Sequence, residues 1–393
     1  MNNYDLTEEH GAEIRQSMAR FPKWTQRFWT WYTCKPLPGQ KPAFKLSPVV
    51  YLTINVIAFL MFVAADMALV YYQPTGWLVL LVVSWIFTVS TSRLASTVVA
   101  HQCMHSRMTG NRVKDKFIAD CLSTMVCTES ADDYYIDHIT LHHKRSTFAT
   151  YEDPTIVHLL YLGFKPGTPY KQLWRRLIIM LFSPKFHAHF IYKRIKTNFY
   201  DPSAWRILGS TVYWAVIIGL LVSSGLWFEF ALGVIVPMFF LYHMVALLEF
   251  LSEHSWFKDK GEGTHPRQFH VSHSWGRFCG DPLPQKNLSL VRKLSEWTKW
   301  TLRAVFYHLP ARLTVVPGDL AAHDYHHRYS ATFDWTYATY ARQADIDNGH
   351  EGWPPYSEVW GIVNATRRVF KIISEQEPVV QSDESMPEVS HAS

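Results

Sequence analysis

Apolar residues gather into four long runs, each about 20 residues or more, which is the length needed to cross the hydrocarbon core of a bilayer. The runs cover Pro48 to Tyr72, Gly76 to Ala100, Trp205 to Gly225 and Leu226 to Leu251. Gln73-Pro74-Thr75-Gly76 parts the first two, and Ser223, Ser224 and Gly225 part the last two, so the pattern predicts two tight helical hairpins. Buried helices of a soluble protein would not explain four such lengths paired in this way. Asp66, Arg93 and His243 interrupt the runs. An ionisable group inside a membrane is costly, so each of the three needs a partner or a cavity.

Lys and Arg in short flanking loops mark the cytoplasmic side. Arg15, Arg20, Lys23, Arg27, Lys35, Lys41 and Lys45 precede the first run, whereas neither hairpin turn carries a cation. Both termini are therefore expected in the cytoplasm. Three polar stretches, Glu13 to Tyr32, Lys171 to Lys196 and Leu288 to His308, mix basic and large apolar residues, as helices in the headgroup plane do. Packing on a cytoplasmic cap would account for them equally well. From Ser374 the tail is polar, acidic and poor in aromatics, and is expected to be disordered. The N-terminus lacks a basic start leading into a short apolar core, so no cleavable signal peptide is expected. The 5 cysteines form no CxxC pair and fit a reducing compartment. A net charge of +5, spread over the basic amphipathic stretches, does not indicate nucleic acid binding.

Histidine changes the picture. Of the 20 in the chain, eight fall into three clusters: His101 and His105 in HQCMH, His138, His142 and His143 in HITLHH, and His323, His326 and His327 in HDYHH. His254, just past the fourth run, is a ninth candidate. Residues three or four apart on a helix share a face, which pairs His101 with His105, His138 with His142, and His323 with His326 and His327. A mononuclear zinc site takes three or four protein ligands, so eight or nine imidazoles suit two metal ions. Imidazole serves zinc, copper, iron and nickel, so ligand type alone does not select the metal. The topology places all the clusters on the cytoplasmic face, which supports a single shared site. A zinc-dependent membrane hydrolase would need three histidines, an open position and a placed acid or base; there is no HExxH, and most of the clustered histidines would be left without work. A metal transporter would put its ligands along a path at mid-membrane, and these lie at the ends of the runs.

The three clusters, in order on a four-run scaffold, resemble the histidine boxes of the integral-membrane fatty acid desaturase and hydroxylase superfamily, over roughly residues 48 to 330. His254 stands where that superfamily usually supplies one further ligand, and the Glu253-His254 pair resembles that of its alkane hydroxylase branch. The resemblance implies an all-α membrane protein, with four transmembrane helices in two hairpins and a cytoplasmic helical cap holding a His-rich dimetal site. Residues 1–47 would be a cytoplasmic segment with an interfacial helix, 48–330 the catalytic domain, 331–373 a helical extension and 374–393 a disordered tail. It also implies a non-haem diiron centre that uses O2 and external electrons to desaturate a long acyl chain. Close alternatives are hydroxylation or acetylenation of an acyl chain, alkane or related lipid. The substrate would be an acyl-CoA, an acyl-carrier protein or a phospholipid acyl chain. No HPGG haem motif occurs, so electrons would come from a separate ferredoxin, rubredoxin or cytochrome b5. The bacterial inner membrane and the endoplasmic reticulum both fit.

A metal-bound histidine usually donates its other N–H to a carboxylate, carbonyl or water. Asp137, Glu253, Asp319 and Asp324 are the candidate carboxylates by proximity in the chain. Lys144, Arg145 and Arg328 follow the second and third boxes and are candidates for binding a phosphorylated head group or a redox partner. His265, His270 and His273 are expected to be ordinary loop histidines rather than a further metal site.

Overall fold

The computed structural model describes residues 8–144, 146–200, 203–258 and 265–378. The chain divides into two compact units. One, here the span unit, comprises residues 47–247 and 370–393; the second unit comprises residues 1–46 and 248–369.

Among the described residues, four helices are long and apolar enough to cross a membrane: Pro48–Tyr72, Trp77–Met104, Ala204–Ser224 and Trp227–Glu253. The first has the bounds its hydropathy predicts. The second runs past its apolar stretch to Met104, which puts His101 inside the helix, and the fourth extends to Glu253. Ser47 caps the first span by accepting from Val50 N, with Pro48 in the first turn, where its missing N–H costs nothing.

The polar interruptions turn inward, as a membrane solvent demands. Asp66, Arg93 and His243 are 0%, 1% and 0% exposed. Thr88 Oγ1 donates to Asp66 Oδ2 at 2.5 Å, and Asn55 Nδ2 donates to Thr91 O at 3.1 Å, so the first two spans are stitched by polar contacts at two levels. Trp85 Nε1 donates to Leu232 O at 2.9 Å. At Gly233 a Cβ would meet Met67 N at 3.0 Å, so this close backbone approach requires glycine. Arg93 stacks over Tyr242, whose hydroxyl lies 2.5 Å from Ser96 Oγ. His243 Nδ1 lies 3.4 Å from His187 Nδ1, and His187 is buried rather than interfacial. Leu60, Met61, Val79 and Val222 point outward and are exposed, as lipid-facing residues would be.

Among the described residues, four helical stretches are wound as π-helix, closing N–H to C=O five residues back: Leu94–Ala100, Tyr135–His142, Ala231–Leu241 and Ala304–His308. The first leads directly into His101 and the second contains His138 and His142.

The all-α expectation needs one correction. The second unit holds a two-stranded parallel sheet, with Gly276, Arg277 and Phe278 opposite Glu358, Val359 and Trp360. Arg15, expected on a headgroup-plane helix, is instead buried and donates to Lys35 O at 2.8 Å, Gln26 Oε1 at 2.9 Å and Thr30 Oγ1 at 3.1 Å. Its neighbours Trp24, Phe28 and Trp31 remain exposed. Helix Leu290–Arg303 exposes Leu290, Val291, Leu294 and Leu302, and the stretch from Lys171 to Lys196 exposes Ile178, Ile179, Phe182 and Tyr192. The last helix, Ile362–Glu375, runs two residues into the expected tail; residues 379–393 lie outside the described residues.

Candidate metal-binding groups

In the span unit, one ring nitrogen from each of His101, His105, His138 and His143 lies within 4.8 Å of the others. The second box does this by a route that its spacing did not suggest. An α-helical turn would pair His138 with His142. Tyr135–His142 is π-wound, and His143 N donates to His138 O at 2.9 Å, which swings His143 over His138. Their Nε2 atoms are 2.9 Å apart. His142 is displaced to a neighbouring position, its ring stacked 5.4 Å from that of His138. The first box keeps its expected geometry, with the rings of His101 and His105 5.1 Å apart.

His142 is oriented by a residue that sequence proximity did not select. Its Nδ1 donates to Asp153 Oδ2 at 3.0 Å. Asp153 is fully buried and caps helix Pro154–Tyr161: Oδ1 accepts from Thr155 N at 3.0 Å, and Oδ2 also accepts from Ala149 N at 2.9 Å. In sequence, Asp153-Pro154 reads as an ordinary helix start, which it also is. An asparagine here would set an NH2 against either Thr155 N–H or the His142 ring. Asp153→Asn is expected to weaken metal retention by about 10–100-fold, the usual effect of losing an orienting partner. Chelator competition measures this, and retention equal to the parent would refute it.

In the second unit, ring nitrogens of His254, His323 and His327 converge within 4.8 Å. His327 Nε2 lies 3.0 Å from His323 Nε2, and the ring of His326 stacks 5.6 Å from that of His323. All four rings are buried. Helix His323–Arg328 carries three of them. His254 closes the group from an isolated bridge that pairs it with Ser274.

The donor chemistry of both groups suits a cation. His101 Nδ1 faces Thr97 O at 3.2 Å and His254 Nδ1 faces His273 O at 3.2 Å, so each donates there and leaves Nε2 as a lone-pair donor. Burial first, and then the imidazoles of His101, His143, His142 and His105, push the His138 pKa well below its usual value. That ring is neutral at pH 7, as a metal ligand must be. Neutral imidazoles crowded this closely could hold a metal ion.

The proximity-based carboxylate assignments fare unevenly. Glu253 Oε1 lies 2.7 Å from His323 Nε2 and 3.6 Å from His254 Nε2. Asp137 belongs to an acidic neighbourhood instead: burial first, then Asp133, push its carboxyl up to about 6. Asp319 is buried just before the short turn Leu320–Ala322 that leads to His323. Asp324 is taken by Arg342, whose Nε and Nη2 donate to its two oxygens at 2.8–3.1 Å. Adjacency in sequence pointed Asp324 at a histidine, but residues adjacent on a helix diverge by about 100°.

The basic candidates also separate. Lys144 is exposed, and Arg145 lies outside the described residues. Arg328 is engaged: its guanidinium sits 3.4 Å over the Tyr356 ring and 5.4 Å over Trp353, and donates to Pro355 O at 3.3 Å. His273 sets its two ring nitrogens against Phe269 O and Lys258 O, at 2.8 and 3.0 Å, and is a structural post. His265 is exposed, and nothing is assigned to His270.

Residues 75–284 match the model of a protein family described as fatty acid desaturase. The search of curated proteins found no match to the chain.

Proposed function

Because the chain belongs to the fatty acid desaturase family, by a match over more than half its length, we propose that it is a membrane-bound, O2-dependent desaturase of long acyl chains. The observation that carries this reading is the pair of histidine groups, buried or half-buried, each with ring nitrogens converging within 4.8 Å. Two iron ions are the proposed occupants. His101, His105, His138 and His143 hold one, and His254, His323 and His327 the other, with His142 and His326 completing the nine. Bound iron would use O2 and two external electrons to remove hydrogen from an unactivated C–H bond.

The protein's own part is to position and to exclude water. Backbone carbonyls at Thr97 and His273 and the Asp153 carboxylate fix the faces of His101, His254 and His142. The exposed apolar faces of the four spans hold the chain in a bilayer, where an acyl substrate is dissolved. The spans form two hairpins, with both termini and all the boxes on the cytoplasmic side, as the flanking cations favour. Residues 48–330 make up the catalytic domain, residues 1–47 a cytoplasmic segment with an interfacial helix and residues 331–373 a helical extension. Electrons arrive from a separate ferredoxin, rubredoxin or cytochrome b5, and exposed Lys144 is available to such a partner or to a phosphorylated head group.

Desaturation takes two hydrogens from adjacent carbons and, with O2, two electrons and two protons, yields an alkene and two waters. Hydroxylation leaves one oxygen atom on carbon. A deuterated acyl chain supplied under 18O2 to the reconstituted protein with a reducing partner separates these outcomes. An unlabelled alkene is the expected product; an 18O alcohol means hydroxylation. A product formed equally without O2 would overturn the oxidase reading and favour a metal-dependent hydrolase.

A further inference from the structure

We propose that the second unit carries a face of its own for anionic phospholipid, formed by helix Leu290–Arg303, its continuation to His308, and Trp24, Phe28 and Trp31. The proposal goes beyond the desaturase reading and does not depend on which metal the histidines hold.

The helix is amphipathic but its apolar side is uncovered. At about 100° per residue, Leu290, Val291, Leu294 and Leu302 fall within about 120° of one another around the axis. A stripe of that width ordinarily faces a core. Here, among the described residues, not one of the helix's 14 residues is buried. Val291 is 78% exposed, and Phe306, in the continuation, 74%. Packing on a cap and immersion in the headgroup layer were equally open from the sequence; packing does not cover this stripe.

The helix meets the rest of its unit along one edge, through Trp297 and Trp300. The ring of Trp300 lies 5.9 Å from Trp29 and 6.1 Å from Phe21, and that of Trp297 lies 6.4 Å from Phe21. Trp300 Nε1 donates to Asp281 O at 3.0 Å. The N-terminal segment held by this edge adds its own exposed rings, with Trp24 85% exposed and Phe28 and Trp31 exposed as well. Leucines on one face and indoles at the margin are what an in-plane helix presents to a bilayer.

Charge selects the lipid. Arg292, Lys293 and Lys299 lie on the side of the helix away from the stripe, and Lys23 and Arg27 flank Trp24 in the chain; all five are exposed. Lys299 is paired with Glu296 at 2.9 Å, and Arg303 with Asp281 at 2.6 Å. Lys23, Arg27, Arg292 and Lys293 are then the cations of the face, and their long stems reach the phosphate level while the stripe sits among acyl chains. Two copies meeting stripe to stripe would instead bring these like charges together.

The test uses full-length protein, one copy per nanodisc, in phosphatidylcholine mixed with either brominated phosphatidylcholine or brominated phosphatidylglycerol. A bimane label is placed by Leu294→Cys or, on the polar side, by Glu296→Cys, each with Cys121→Ser because Cys121 is exposed and the other four cysteines are buried. Both labelled positions are exposed, so neither label disturbs packing. The Leu294→Cys label should be quenched and the Glu296→Cys label should not. At equal share, brominated phosphatidylglycerol should quench about fivefold more effectively than brominated phosphatidylcholine, the preference that even one engaged cation supplies. Lys23→Gln, Arg27→Gln, Arg292→Gln and Lys293→Gln together should bring the two lipids to parity. Parity in the parent would overturn the choice of anionic lipid, and equal quenching of the two labels, or none, would overturn the face itself. An unquenched Leu294→Cys that crosslinks between copies would assign the stripe to a second copy of this chain and overturn the proposal.

Discussion

A chain carrying both His138→Ala and His143→Ala is expected to lose the iron of the span unit and all desaturated product. These two rings belong to the histidine group of the span unit, and their Nε2 atoms are 2.9 Å apart across the π turn. Losing two donors at once is expected to release the ion, because structural and catalytic sites alike need three or four protein ligands. Iron should fall from about two to about one per chain, by the same ligand count. The helices should persist, since the four spans owe their stability to apolar length and not to the boxes. Iron analysis beside circular dichroism and product analysis checks this. Retained iron with normal turnover would remove the basis for the whole reading.

The second large effect concerns stability. Arg342 is 1% exposed and donates to both oxygens of Asp324, to Glu358 Oε1 at 2.8 Å and to Ser357 O at 3.3 Å. Burial alone would lower the pKa of Arg342, but Asp324 and Glu358 outweigh it and raise it; the Glu358 carboxyl is held below its usual value by Arg342 and Lys35 against the cost of burial. A Cβ at Gly276 would meet the Phe278 ring at 2.7 Å and Arg342 Nη2 at 3.0 Å, so the ring and then the guanidinium crowd that position. Arg342→Met is expected to cost about 3–5 kcal/mol, because buried Asp324 loses its counter-charge and Glu358 is left with Lys35 alone. The loss reaches the third box, since Asp324 follows His323 directly. Adding Asp324→Asn to Arg342→Met should recover part of the loss, as removing both members of a buried pair costs less than removing one. Thermal unfolding of the four combinations measures this. Strict additivity would mean that the contact contributes nothing.

Much of the scaffold was legible in the sequence because membrane insertion leaves a coarse signal. A run such as Pro48 to Tyr72 has one explanation, and the structure reproduces its bounds. That the clustered histidines would converge was legible for a similar reason: few other causes put eight in three short clusters. What failed depended on backbone pitch or on distance along the chain. His138 was paired with His142 because an α turn was assumed, and nothing in Ile139-Thr140-Leu141 announces a π turn. Asp153 was hidden behind its second role as a helix cap. Asp324 was misread because adjacency was taken for contact, whereas its partner Arg342 lies 18 residues on. The paired strands at Gly276–Phe278 and Glu358–Trp360 have three residues each and are too short to produce an alternating pattern.

The π turn makes the second box sensitive to length in a way that amino-acid identity does not reveal. Ile139, Thr140 and Leu141 act there as spacers, so exchanging one for a residue of similar size leaves the register of His138 and His143 as it is. Removing one of them rotates everything that follows by about 100° about the helix axis. A survey of substitutions would pass over this constraint, and a survey of single-residue deletions would find it at once.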